Sequence, residues 1–114
     1  MIRITTNIDR DMLLTMINDH IKENKIVTWS VDGEGDYTTV QPQWRYRAWM
    51  HPVKDEHNEH ILYFVIVKSK KFPMTKSLYG VFHGRFAEML LTHFDTHITS
   101  LEISSMLVPQ MDLF

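Results

Sequence analysis

Residues 90–100 read LLTHFDTHITS, with His93 and His97 four apart and Asp95 between them. Two imidazoles at that spacing share a helical face and can hold a divalent cation, and a carboxylate beside an imidazole can orient it for proton transfer. A second dense group is HNEH, where His57 and His60 stand near His51, Asp55, Glu56 and Glu59; nitrogen and oxygen donors of this kind suit several divalent metals. DGEGD adds Asp32, Glu34 and Asp36 as oxygen donors for calcium, at a spacing that departs from an EF-hand loop.

A basic group offers different chemistry. Lys68, Lys70, Lys71 and Lys76 surround the expected start of a helix, where free backbone N–H groups and the helix dipole favour an anion. WRYRAW places Arg45, Arg47 and Trp49 on one face of an expected strand, so phosphates could be contacted and a base stacked.

The elements that must position these residues decide between the two chemistries. From Leu78, at about 100° per residue, Tyr79, Phe82, Phe86, Met89, Leu90 and His93 fall within an arc of about 120°. A helix is therefore expected over 75–95, with His93 packed on its apolar face and bonded to backbone or a neighbour. Asp95 turns away from His93, and His97 rejoins that face only if the helix continues. With no further ligand in reach, no metal site is expected; His93, His97, His57 and His60 are the weak candidates. HNEH reads first as a solvated loop, and the glycines of DGEGD are explained by a turn.

The same wheel puts Gly80, Gly84, Ala87 and Leu91 at about 180° to 240°, beside the apolar face. Glycine within a helix costs about 1 kcal/mol against alanine, so this strip invites a packing role. Its partner would be the first helix of the same chain or the same strip of a second subunit.

Upstream, IRIT (2–5) alternates as a first strand, and Thr6, three residues ahead of Asp9, has the spacing of a capping box. Ile8, Met12, Leu13, Met16, Ile17, His20 and Ile21 then share one face of a helix expected to run to about Asn24. Period-two alternation follows over 27–31 and 37–40, joined by DGEGD as a hairpin, and Pro42 interrupts pairing with the strand after it. HPVKDEHNEH is expected as a polar connection; ILYFVIVK is apolar on both alternations, as in a strand covered on two faces. Pro73 ahead of Thr75 marks the second helix, ITSLEISSMLV reads as a last strand, and the tail from Met106 to Phe114 is apolar. The expected fold is a single α+β domain over 1–114. Two helices pack on a mainly antiparallel sheet of four to six strands in the order β-α-β-β-β-β-α-β.

Composition bounds the function. The absence of cysteine removes disulfides, thiolate nucleophiles and sulfur-bound zinc. A net charge of −2 draws the chain to neither nucleic acid nor anionic lipid, so such binding needs a local patch. MIRITTNIDRDM lacks a signal-peptide pattern and ILYFVIV is too short to span a bilayer, so a cytoplasmic protein without membrane association is expected. No cofactor is implied. The first functional reading is a small non-catalytic protein–protein interaction domain, taking a protein partner or forming a homodimer. Its interface candidates are Gly80, Gly84, Ala87 and Leu91. The second is a nucleic-acid or phosphoanion binder using Lys70, Lys71, Lys76, Arg45, Arg47 and Trp49. The third is a metal-dependent hydrolase built on histidine and carboxylate, which makes enzymatic activity the less favoured outcome.

Overall fold

The computed structural model describes residues 1–105, and the apolar tail from Met106 onward lies outside them. The chain runs β1 (Ile2–Thr6), α1 (Arg10–Lys22), β2 (Trp29–Val31), β3 (Tyr37–Thr39), β4 (Ala48–Lys54), β5 (Ile61–Lys68), α2 (Lys76–Phe94), a 3-10 turn (Asp95–His97) and β6 (Ile98–Ile103). The strands form one sheet in the order β2-β3-β4-β5-β1-β6, with every neighbouring pair antiparallel. The architecture is the expected α+β domain, with six strands.

Both helices are crossover connections. Helix α1 links β1 to the far edge strand β2, and α2 links β5 to the other edge strand β6. Their apolar stripes meet the sheet face carrying Ile2, Ile4, Ala48, Met50, Leu62, Phe64 and Ile66, all buried in one core. Its centre is aromatic: Phe64 and Phe86 have ring centroids 4.7 Å apart, and Trp29 meets Phe86 edge-on at 4.9 Å. Such contacts add about 0.5–1.5 kcal/mol each beyond area burial.

Local chemistry sets the boundaries. The α2 N-cap is Thr75, whose hydroxyl accepts from the Leu78 amide at 3.0 Å. Helix α1 starts later than the Thr6 spacing suggests. Asp9 caps it through the Asp11 amide, while the buried Thr6 ends β1 and donates its hydroxyl to the carbonyls of Ile8 and His60. Those bonds at the end of β1 take that hydroxyl out of capping.

Two stretches depart from their alternation. Trp44 to Arg47 form a turn, not the start of a strand, because the amides of Trp44 and Arg45 both bond the Gln41 carbonyl and Tyr46 has φ 63°. Of the WRYRAW run only Ala48 and Trp49 stand on a strand. Conversely, His51 to Lys54 belong to β4 and not to a loop, with Pro52 opposite Phe64 of β5. Proline is tolerated because β3 pairs with β4 only through Tyr37 and Met50, leaving the other side of β4 unpaired there.

The sheet face away from the helices explains the apolar run of β5. Trp49 pairs Val67, His51 pairs Val65, and Val53 pairs Tyr63, which also faces Arg3 of β1. Toward β6 the face turns polar, with Arg3 and Glu102 3.6 Å apart. The β4–β5 half is apolar and aromatic, and a cleft lies there.

Candidate functional site: the cleft beside Trp49

Three segments remote in sequence enclose a cleft of about 1080 Å³. Its floor is Trp49 of β4 and Val67 of β5. One wall is the β2–β3 turn with Asp32, Glu34 and Asp36; the other is Lys68 at the end of β5 with Ser69, Lys70, Lys71 and Phe72 beyond it. Arg45 and Tyr46 of the turn before β4 complete the rim.

Each wall has a local reason for its shape. Asp32 Oδ1 accepts from the amides of Glu34 and Asp36 at 2.9 and 3.0 Å, and Gly35 takes a φ of 82° that closes the turn. Asp36 then reaches His51 of β4, Oδ1 to Nδ1 at 2.5 Å, which ties the turn to the sheet. The opposite loop is braced by Ser69, a buried residue whose hydroxyl accepts from the Lys71 amide at 3.1 Å. Arg47 lies 4.2 Å from the centre of the Phe72 ring, and Arg45 4.8 Å from that of Tyr46. Both contacts have cation–π geometry and steady the rim.

The basic candidates therefore divide. Arg45, Trp49, Lys70 and Lys71 line one cleft together with Lys68. Arg47 supports Phe72 instead of facing the cleft, and Lys76 sits exposed in the first turn of α2, outside the lining. Tyr46 and Phe72 were not singled out by spacing. Their signal was an aromatic residue beside each basic cluster.

The acidic turn serves its own backbone and His51, and the histidine groups do not converge. Among the described residues no group of three or more His, Cys, Asp or Glu side chains is placed to hold a metal ion. In HNEH the His60 ring bonds the Ile8 carbonyl at 3.0 Å, while His57 projects into solvent. Asp55 organises that loop by accepting from the His57 and Asn58 amides, which holds its carboxyl below the ordinary range. The Arg10 guanidinium then donates to the carbonyls of Asp55, Asn58 and Ile61. The loop is clamped to α1 by backbone chemistry.

His93 corrects a sequence expectation: it is exposed, not packed. The wheel gives its direction correctly, but His93 sits in the last turn of α2, where it meets His20 of α1 edge-on with centroids 6.3 Å apart. Helix α2 ends at Phe94, and Asp95 and His97 fall in the 3-10 turn, Asp95 exposed and His97 partly buried. The buried histidine is His83, only 2% exposed, stacked on Tyr79 at 3.8 Å with Nδ1 2.7 Å from the Tyr79 carbonyl.

The glycine strip also differs from the simpler reading. Gly80 and Gly84 are exposed with nothing within 4 Å of a Cβ built on either, so α1 does not pack there. Ala87 is buried and Leu91 is 47% exposed. The two crossovers land on different parts of the sheet, which separates the helices along this strip.

No protein-family model matches the chain, and neither does a curated protein or a solved structure. Among the described residues no helix is long and apolar enough to cross a membrane.

Proposed function

We propose that this chain is a non-catalytic binding domain that takes a phosphate-bearing planar ligand, a nucleotide or a nucleic-acid single strand, in the cleft beside Trp49. The observation that carries the reading is the convergence of Arg45, Trp49, Lys70 and Lys71 on one concavity. Its volume of about 1080 Å³ is just above the range of small-ligand sites, about 300–1,000 Å³, and leaves room for a short strand. An indole platform beside a row of cations is the combination that single strands use, stacking for the bases and charge for the backbone. A net charge of −2 confines the attraction to this patch.

The test is tryptophan fluorescence of the full chain titrated with the twelve-nucleotide strand dT12 in low salt. Saturable quenching is expected, and it is lost in Trp49→Ala and weakened at least tenfold in the Lys70→Glu, Lys71→Glu double variant. Absence of binding in low salt, or affinity that neither variant changes, contradicts the reading.

A second reading, self-association or docking on a protein partner, draws on a separate surface. Exposed Gly80, Gly84 and Leu91 lie along one side of α2, and they would let a second helix approach closely. Light scattering over a concentration series tests it: a mass that rises toward the dimer supports the reading, and a constant monomer mass removes it.

A further inference from the structure

We infer that the cleft discriminates among bases, preferring cytosine and guanine over uracil and thymine through Glu34; this rests on the ligand reading above. The two walls carry opposite charge, with Lys68, Lys70 and Lys71 facing Asp32, Glu34 and Asp36 across Trp49 and Val67. Among the described residues no ion pair joins the walls. Neither wall neutralises the other.

A ligand that satisfies both walls has acceptors at one end, donors at the other and a flat body between. A phosphate supplies only acceptors to the lysines. At the opposite wall a carboxylate is itself only an acceptor, so it must meet N–H groups. The base edges divide on this point: cytosine presents its N4 amino group, and guanine presents N1–H and its N2 amino group side by side. Uracil and thymine place carbonyl oxygens on both sides of a single N–H.

Within the acidic wall the carboxylates are not equivalent. Asp32 Oδ1 is committed to two backbone amides and Asp36 Oδ1 to His51. Among the described residues Glu34 bonds the turn only through its own backbone amide, and its side chain is exposed at the rim. Glu34 is thus the specificity residue, and the lysine wall is indifferent to sequence.

Binding of the full chain to dC12 and dT12, and to CMP, GMP and UMP, is measured by fluorescence with calorimetry as a second readout. The expectation is about tenfold tighter binding of dC12 than dT12, the size of one good carboxylate–amino contact. The same order, CMP and GMP ahead of UMP, identifies a free nucleotide as sufficient. Preference among strands with no measurable nucleotide binding supports the inference and assigns the site to nucleic acid. Glu34→Gln narrows the dC12 to dT12 ratio to within about twofold, because an amide both donates and accepts. Equal binding of dC12 and dT12 by the native chain, lost on Lys70→Glu, overturns the base preference and leaves the ligand reading standing. No binding of any strand or nucleotide in low salt overturns both.

Discussion

The carboxylate of Asp36, in the turn after β2, meets the imidazole of His51, in β4, with Oδ1 2.5 Å from Nδ1. Without this contact the acidic wall of the cleft would hang from the sheet by the short β2–β3 hairpin alone, since β3 pairs with β4 at one position.

Asp36→Asn weakens that tie. A hydrogen bond to a charged group is worth about 1.5–3 kcal/mol, and the partial exposure of His51 reduces this to about 1 kcal/mol. Urea denaturation should show a loss of that size, and amide exchange should quicken at Gly35 and Asp36 while the helices keep their protection.

His83 and His93 should respond in opposite ways to truncation. His83→Ala removes a buried ring stacked on Tyr79 and costs about 2–4 kcal/mol, whereas His93→Ala at an exposed position stays within about 0.5 kcal/mol. Comparison of their midpoints in urea checks both.

What the sequence made legible, and what it did not, follows from the same two histidines. Periodicity reports the angle around a helix axis but not the position along it. His93 was therefore placed on the apolar face correctly and judged buried wrongly, and His83, just beyond that arc, was passed over. The element order was readable because both helices and most strands carry their own period, and β5 reads as an unbroken apolar run. The turn at Trp44 to Arg47 was not, since its alternation imitates a strand while the backbone bonds to Gln41. The cleft itself needed the sheet order, which brings the β2–β3 turn beside the loop after β5.

Gly80→Ala and Gly84→Ala should each stabilise the monomer by about 1 kcal/mol, because both lie in α2 with open space at the added Cβ. Thermal melts at low protein concentration provide the check. Destabilisation that appears only as concentration rises would instead mark the strip as a contact between copies.

Burial pushes the Tyr37 phenol well above its ordinary range, with the nearby Asp36 charge adding to the effect. A raised folded-state pKa means that the contribution to stability is complete below about pH 10 and fades as pH rises beyond it. The Tyr37 hydroxyl also donates to Asn18 Oδ1 at 2.6 Å. Tyr37→Phe should therefore cost about 1 kcal/mol at neutral pH, and its deficit against the native chain should shrink above about pH 10. Urea midpoints measured across that window give the comparison.

The central claim is that the cations around Trp49 hold a phosphate backbone, and the salt dependence of dT12 affinity addresses it most directly. Four cations, Arg45, Lys68, Lys70 and Lys71, line the cleft. Counterion release then predicts that log K falls linearly with log salt, at a slope of about −3 for a single strand. The Lys70→Glu, Lys71→Glu variant should flatten that slope to about half. Affinity that does not change with salt, or a slope that the double variant leaves unaltered, would contradict the account.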